Sequence, residues 1–135
     1  MKQVLVDSGG WYAVADKRDP DHGRAVSFLK SNSLPLITTN FIFDEAITLM
    51  RSRMGWQVAV DFGKKLLSGG VVTIAEVRKE DEERAWEIFL RFKDQDFSYT
   101  DCTSFAVMER LRLETAFTFD EHFRTMKFHV VPEKQ

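Results

Sequence analysis

The chain of 135 residues is 44% apolar and 30% charged, which is typical of a folded globular protein and excludes a disordered chain. Its formal net charge of −2 gives no support to a domain that binds nucleic acid through phosphate contacts alone, because such domains are usually basic. The single cysteine, Cys102, excludes an internal disulfide and a zinc site built from cysteines. We expect a single domain over residues 1–135.

Neither a membrane span nor a leader is visible in the sequence. No apolar stretch approaches the roughly 18 residues that a membrane-spanning helix needs. The N-terminal segment reaches an acidic residue, Asp7, too early for a secretory signal peptide. These features predict a cytoplasmic protein without a membrane partner.

Short β-branched or aromatic runs alternate with longer helical patterns along the chain. The first run, Val4-Leu5-Val6, has no polar alternation, which is typical of a strand covered on both faces. Further strands are predicted at 36–39, 71–74, 116–119 and 128–131. Helices are predicted near 9–16, 20–32, 41–53, 55–68, 79–93 and 99–112, with a short one after Asp120. This alternation predicts a three-layer α/β/α domain with a mostly parallel sheet of about five strands.

Local signals account for several of these boundaries. The pair Asp19-Pro20 predicts an N-cap followed by proline at the first helical position. Gly69-Gly70 is expected to end the fourth long helix before a strand. The segment Ser98-Tyr99-Thr100-Asp101 has the pattern of a capping box at the start of a helix.

Two acidic residues stand where predicted strands end. Asp7 follows the first strand, and Asp120 follows the fourth. In open α/β sheets, ligands bind outside the carboxyl ends of the strands, so both carboxylates are placed for chemistry. The alternative for each is capping of the helix that follows, a role for which aspartate is well suited. Neither residue decides between the two interpretations by itself.

Glu45 is the most informative acid because of its position on a predicted helix. Its neighbours at helical spacing include Phe41 and Leu49, so it lies on or beside the core-facing stripe. An ionised carboxylate in that position is costly unless it is paired or binds a metal. The alternative to a functional role is a salt bridge to an arginine such as Arg51 or Arg53.

A fourth acid completes a set of oxygen donors. Asp101 lies in the first turn of its helix, where the capping box with Ser98 is a good structural explanation. Capping and metal binding are compatible, because a carboxylate has two oxygens. Four carboxylates suit Mg²⁺ or Mn²⁺ rather than zinc, and such ions activate water for attack on a phosphodiester.

Other catalytic chemistries find little support in the chain. Ser8-Gly9-Gly10 lacks the later glycine and lysine of a phosphate-binding loop, and no G-x-S-x-G elbow occurs. Cys102 is expected to be a buried packing residue. His122 could approach the acids from the last short helix, but a surface histidine is the favoured interpretation.

Four motifs follow one another in order along almost the whole chain. They are Val4-Leu5-Val6-Asp7-Ser8, then Thr38-Thr39-Asn40 before the helix with Glu45, then residues 98–104 (Ser-Tyr-Thr-Asp-Cys-Thr-Ser) and 117–123 (Phe-Thr-Phe-Asp-Glu-His-Phe). In this order and spacing the chain resembles the PIN domain nucleases, and especially the short VapC-type toxins of toxin–antitoxin systems. The turn Thr125-Met126-Lys127 departs from that pattern, because it lacks a glycine often found before the final strand.

The resemblance implies a function and a set of site residues. It implies a divalent-metal-dependent endoribonuclease, the toxin of a type II toxin–antitoxin pair, with an RNA substrate and an antitoxin protein as partners. The catalytic and metal-binding quartet is then Asp7, Glu45, Asp101 and Asp120, with Mg²⁺ or Mn²⁺ as the cofactor. Ser8 and Ser104 match hydroxyl positions that support the site. The RNA species and self-association into a homodimer are left open.

Two other classes of function stay as alternatives. A non-catalytic PIN-like module that binds RNA or protein would be marked by a broken acidic set, whereas all four acids are present here. A phosphatase of the haloacid-dehalogenase type would need an aspartate two residues after Asp7, where the chain has Gly9. A receiver domain would need a phospho-acceptor aspartate at the end of the third strand, where the chain has Ile74-Ala75-Glu76.

Surface roles are assigned to basic and apolar side chains. Basic residues that could guide RNA are Arg18, Arg24, Arg51, Arg53 and Lys127, although a solvated surface charge is favoured for each. Candidates for an exposed partner surface are Trp11, Tyr12, Phe41, Met50, Met54 and Trp56, although core packing is favoured for each. Repulsion among the four acids and partial burial of Glu45 are expected to raise at least one carboxyl pKa.

Overall fold

Five parallel strands flanked by helices make up the fold, which the computed structural model describes over residues 2–134. The strands are β1 (Val4–Val6), β2 (Leu36–Thr39), β3 (Val72–Ala75), β4 (Thr115–Phe117) and β5 (His129–Val131). The helices are α1 (Ser8–Ala15), α2 (His22–Ser31), α3 (Asn40–Met54), α4 (Trp56–Leu67), α5 (Lys79–Arg91), α6 (Tyr99–Leu111) and α7 (His122–Thr125). The α/β class and the five-stranded parallel sheet predicted from the sequence are confirmed.

The strand order places β1 at the centre of the sheet. The order is β3-β2-β1-β4-β5, and all four neighbouring pairs are parallel. The chain builds one side of the sheet with β2 and β3 before it crosses to β4 on the other side of β1. This reversal opens a crevice at the carboxyl ends of β1 and β4, which is where ligands bind in such sheets. In that pair Val6 lies opposite Phe117, so the residues that follow both strands meet at the same edge.

The hydrophobic core fixes the helices that border this edge. β1 is buried along its whole length, and the aromatic rings of Phe105 and Phe123 pack edge to face with centroids 5.0 Å apart. A Cβ atom at Gly10 would lie 2.8 Å from the carbonyl oxygen of Phe117. Only glycine therefore allows α1 to approach β4 this closely, and this packing holds the start of α1 against the sheet edge.

Most predicted element boundaries hold, and the exceptions have local causes. The capping box at Ser98 is confirmed, since Ser98 Oγ accepts from the backbone N–H of Asp101 at 3.0 Å. Gly69 and Gly70 adopt φ of 80° and 90° after α4 ends. The predicted helix start at Pro20 is wrong: α2 begins at His22, because Asp19 closes a turn by accepting the N–H of Asp21 on its side chain.

The loop before the last strand shows the consequence of a missing glycine. Lys127 adopts a φ of 69°, a left-handed conformation that glycine takes at lower cost. Its backbone N–H donates to the carbonyl of Arg124 at 2.9 Å. The departure from the family pattern therefore affects the geometry of this loop, which leads into β5.

The candidate partner surface is only partly exposed. Trp11, Tyr12 and Met50 are buried in the core, so core packing is their actual role. Trp56, in contrast, is 60% exposed at the start of α4. Among residues 2–134, no helix is long and apolar enough to cross a membrane.

Candidate metal centre

The four acids predicted from the sequence line one cavity of about 510 Å³ at the carboxyl edge of the sheet. Asp7 comes from the end of β1 and Asp120 from the loop after β4, while Glu45 lies on α3 and Asp101 on α6. Four elements that are distant in sequence thus deliver one carboxylate each. Such an arrangement follows from the crossover at β1, which brings the ends of β1 and β4 together.

Asp7 is the most deeply buried of the four carboxylates, with 4% of the residue exposed. Thr118 Oγ1 donates to its Oδ2 at 3.0 Å. Its Oδ1 is buried and has no hydrogen-bond partner among the described residues. The side chain makes no capping hydrogen bond to α1, so the capping interpretation is not supported for Asp7.

The electrostatics of Asp7 follow from that burial. Loss of solvation, together with the nearby negative charge of Asp101, raises the pKa of Asp7 to about 7. A buried carboxylate oxygen without a donor costs free energy, and a bound cation would satisfy it. The residues present therefore fit a metal ion at this point.

Glu45 is half-buried, and its partner is a hydroxyl group. Ser8 Oγ donates to Glu45 Oε1, which joins the start of α1 to the middle of α3. Burial raises the pKa of the Glu45 carboxyl above its ordinary value, and the Ser8 hydrogen bond opposes that rise. Among residues 2–134, no ion pair joins Glu45 to Arg51 or Arg53, so the salt-bridge alternative is wrong.

Asp101 combines capping with a place in the site. Its Oδ2 accepts the backbone N–H of Ser98 at 3.0 Å and lies 2.8 Å from Nδ1 of His122. Both interactions engage the same oxygen, which leaves Oδ1 as the oxygen without either donor. Burial raises the pKa of the Asp101 carboxyl, against the opposing effect of the Ser98 N–H.

His122 belongs to the site, and its expected place as a surface histidine is wrong. Its Nδ1 lies 2.8 Å from Asp101 Oδ2 and 3.1 Å from Asp120 Oδ1. Because ionised carboxylates only accept hydrogen bonds, Nδ1 is the donor. The imidazole packs edge to face on Phe97 with centroids 5.2 Å apart, which fixes the plane of the ring.

Asp120 is the fourth acid of the site, and its backbone is hydrogen-bonded to Thr118. Asp120 Oδ1 accepts the backbone N–H of His122 at 2.8 Å, which closes a turn before α7. The N-cap of α7 is Glu121, so the capping interpretation is not supported for Asp120. Thr118 Oγ1 accepts the N–H of Asp120 at 3.1 Å while it donates to Asp7. One threonine hydroxyl thereby connects two of the acids, a role that no sequence pattern indicated. Asp101, Asp120 and His122 each offer one ligand-type atom, and these atoms lie within 4.8 Å of one another.

The two predicted supporting serines differ in where they lie. Ser8 lines the cavity and contacts Glu45. Ser104 is buried in α6, where its hydroxyl donates to the carbonyl of Thr100 at 3.0 Å, and it is not among the residues that line the cavity. Cys102 is buried as expected, and burial raises the pKa of its thiol to about 11, which keeps it unreactive.

Fold and site together define a class of protein: a parallel α/β domain with an acidic centre suited to a divalent cation. The chain belongs to the PIN domain family, whose sequence profile matches residues 4–129. Within that family it is a homologue of the VapC-type toxin ribonucleases. The resemblance deduced from the sequence motifs is therefore confirmed.

Two relatives and two solved structures illustrate this kinship. The chain is 34% identical over 131 residues to the 23S rRNA-specific endonuclease VapC20 of Mycobacterium tuberculosis, covering 96% of this chain and 99% of that protein. It is 30% identical over 125 residues to a VapC ribonuclease of Archaeoglobus fulgidus, covering 89% and 78%. The crystal structure of VapC20, a Sarcin-Ricin loop cleaving toxin, superimposes with a TM-score of 0.88 at 32% identity, covering 93% and 95%. A toxin–antitoxin complex from Klebsiella pneumoniae shares the fold, with a TM-score of 0.71 at 15% identity, covering 98% and 99%.

Proposed function

We propose that the protein is a divalent-metal-dependent endoribonuclease that hydrolyses RNA phosphodiester bonds as the toxin of a type II toxin–antitoxin pair. The observation that carries the metal dependence is the buried Asp7 Oδ1, which has no hydrogen-bond donor among the described residues. Kinship with VapC ribonucleases supports the reaction class. A non-catalytic binding module would have no use for so costly a carboxylate.

The residues that would hold the ion are the four acids whose carboxylate groups line the cavity. Asp7 and Asp101 are the proposed main ligands, and Glu45 and Asp120 complete the set. A donor set of carboxylate oxygens suits Mg²⁺ or Mn²⁺. When bound, such an ion activates water and shields the charge of a phosphodiester.

Three of the four acids are oriented by a hydrogen bond to a neighbouring side chain. Thr118 holds Asp7, Ser8 holds Glu45, and His122 holds Asp101. These donors leave the remaining carboxylate oxygens available to the cavity. Such supporting hydrogen bonds typically affect metal affinity or activity 10- to 100-fold, so we assign His122 and Thr118 a positioning role.

Ribosomal RNA is the proposed first substrate. VapC20, the 34% identical relative, is specific for 23S rRNA and cleaves the Sarcin-Ricin loop. Proteins read sequence in RNA mainly at loops whose bases are accessible, which makes that loop the part of ribosomal RNA to test first. A synthetic hairpin that carries this loop is therefore the substrate to try before total RNA.

The test uses that hairpin, labelled at its 5′ end, and a second hairpin with a scrambled loop. Wild-type protein is expected to cut the first hairpin in Mg²⁺ or Mn²⁺ and to lose activity in chelator. Asp7→Asn should be inactive, whereas Asp44→Asn, a change at an exposed acid next to Glu45, should be as active as wild type. Failure to cut either hairpin or total ribosomal RNA in any divalent ion would favour the non-catalytic binding module.

An antitoxin protein is the proposed partner, and the cytoplasm, which contains the ribosomes, is the proposed place of action. The exposed indole of Trp56 is an apolar group available for such a partner. Co-expression with the product of the adjacent reading frame should give a complex that no longer cleaves RNA. Sedimentation of the isolated protein would decide whether it forms a homodimer.

A further inference from the structure

The acidic cavity has one strongly basic side chain in its wall. Seven carboxylates line it, and Arg53 is the one lysine or arginine beside them among the residues that the structure describes. The carboxylates are Asp7, Asp19, Asp21, Glu45, Asp96, Asp101 and Asp120. An anionic RNA strand that enters this cavity meets repulsion from most of the wall, so the position of the single fixed cation matters.

Arg53 is held in place by an aromatic ring. It lies in the last turn of α3, and its Cζ is 5.2 Å from the centroid of the Tyr12 ring. Tyr12 is 7% exposed, and its hydroxyl donates to Asp16 Oδ2 at 2.6 Å. The ring is therefore a fixed support, which lowers the entropy that the arginine side chain loses when it binds a ligand.

The guanidinium of Arg53 has no carboxylate partner within 4.0 Å among residues 2–134, unlike other basic residues near the site. Arg18 pairs with Asp16 at 3.4 Å. Arg24 lies 3.6 Å from Asp21 and donates to main-chain carbonyls near the C-terminus. Arg51 and Lys127 are not among the residues that line the cavity. Of the five, Arg53 alone lines the cavity and, among the described residues, has no carboxylate within ion-pair distance.

We propose that Arg53, supported by Tyr12, forms a subsite for a phosphate of the RNA backbone next to the phosphate that is cut. This inference rests on the proposed ribonuclease function and identifies a substrate contact outside the acidic centre. The planar guanidinium offers paired N–H donors that match two phosphate oxygens. The reacting phosphate belongs at the carboxylate cluster, which leaves a neighbouring phosphodiester as the ligand of Arg53.

The experiment compares Arg53→Ala and Arg53→Lys with Arg51→Ala, a matched control in the same exposed turn of α3. Steady-state cleavage of the RNA that wild type cuts is measured at several salt concentrations. For Arg53→Ala we expect kcat/KM to fall about ten- to a hundredfold, through KM and with kcat within about twofold. The slope of log(kcat/KM) against log salt should become shallower by about 0.7. Arg53→Lys should recover only part of the loss, because lysine lacks the planar fork.

A binding measurement separates this subsite from the nuclease activity itself. In the Asp7→Asn background, fluorescence anisotropy with the labelled hairpin should show about tenfold weaker binding for Arg53→Ala than for Arg51→Ala. Mn²⁺ affinity, measured by calorimetry in the otherwise wild-type chain, should be the same for both. If the wild-type protein cuts no RNA, the proposed ribonuclease function is wrong. The anisotropy comparison of Arg53→Ala with Arg51→Ala still tests whether Arg53 binds RNA. Equal RNA affinity and salt slope in both variants, or a loss confined to kcat, would overturn the assignment of Arg53.

Discussion

Two buried aspartates in this molecule have almost the same exposure and opposite surroundings. Asp81, 2% exposed, accepts from Arg110 Nε at 2.8 Å and Nη2 at 2.9 Å, and from the backbone N–H of Arg78. Burial alone would raise the pKa of Asp81, but these donors outweigh it and the pKa is lowered. Asp7 has the Thr118 hydroxyl on one oxygen and, among residues 2–134, no donor on the other. Burial and the negative charge of Asp101 raise the pKa of Asp7 to about 7.

We interpret the difference as that between a structural carboxylate, Asp81, and a proposed metal ligand, Asp7. Asp81 and Arg110 join α5 to α6, and their hydrogen bonds replace most of what water would supply. Asp7 faces other acids across a cavity, so the metal-free fold holds its charge at a cost. Buried carboxyl groups with a raised pKa are found preferentially at functional sites, where binding of a ligand offsets the cost of the buried charge.

The largest expected effect is on activity. Asp7→Asn and Asp101→Asn should each lower metal-dependent RNA cleavage more than about a hundredfold. Substitution of residues that only hydrogen-bond to metal ligands already lowers activity about 10- to 100-fold, and loss of a ligand itself should have a larger effect. Far-UV circular dichroism should stay that of wild type, and Asp44→Asn serves as the control. Wild-type cleavage rates in either variant would remove both residues from the site.

Loss of the ion pair between Asp81 and Arg110 should lower the stability of the fold. Arg110→Ala leaves Asp81 buried without its counter-charge, which typically costs 3–5 kcal/mol of unfolding free energy. Arg84→Ala is the matched control, because Arg84 also joins α5 to α6, through Glu109 at 3.0 Å, but at the surface. Arg84→Ala should lower the free energy of unfolding by less than about 1 kcal/mol. Urea denaturation of both variants that gave equal, small losses would show that Asp81 does not depend on Arg110.

The unpaired aspartate should make stability fall as pH rises. Its folded pKa of about 7 lies above the unfolded value of 3.8, so the folded state binds this proton more tightly. Ionisation of buried Asp7 therefore lowers the free energy of unfolding. This loss is absent below about pH 4, grows as pH rises, and is complete above about pH 7, where it is on the order of 4 kcal/mol.

The Asp7→Asn variant isolates this contribution from those of other titrating groups. In chelator at pH 8, Asp7→Asn should melt above wild type, and the gap should close towards pH 4. Excess Mn²⁺ at 100 times its dissociation constant should stabilise wild type by about 2.7 kcal/mol and the variant by less. A lower melting temperature for Asp7→Asn in chelator at pH 8 would indicate a structural role instead.

The smallest effect concerns the donor that orients Asp101. His122→Ala should weaken Mn²⁺ binding and cleavage about 10- to 100-fold. His122→Asn should retain most of both, because its amide N–H can take the place of Nδ1–H. If the alanine and asparagine variants lose the same amount, the hydrogen bond to Asp101 is not what His122 contributes.

The sequence predicted those features that depend on local pattern. The alternation of apolar strands and helices gave the layered fold, and the rule for strand ends placed Asp7 and Asp120 at one edge. Helical spacing alone singled out Glu45. The start of α2 differs from the prediction because Asp19 closes a turn by itself, three residues before the helix.

Other features depend on contacts between distant elements. His122 reaches Asp101 only because α7 folds back over the sheet edge, and Thr118 reaches Asp7 across neighbouring strands. The bond between Asp81 and Arg110 spans two helices and leaves no trace in local spacing. The core packing favoured for Trp11 and Tyr12 is confirmed, because both are buried.

Direct Mn²⁺ binding tests the central claim, that Asp7 is held unpaired for a divalent ion. Calorimetric titration of the purified protein at pH 8 should be compared for wild type, Asp7→Asn and Asp44→Asn. We expect saturable binding of equal affinity in wild type and Asp44→Asn, and binding at least about tenfold weaker in Asp7→Asn. Equal Mn²⁺ affinity in all three proteins, or no binding in wild type, would contradict the account.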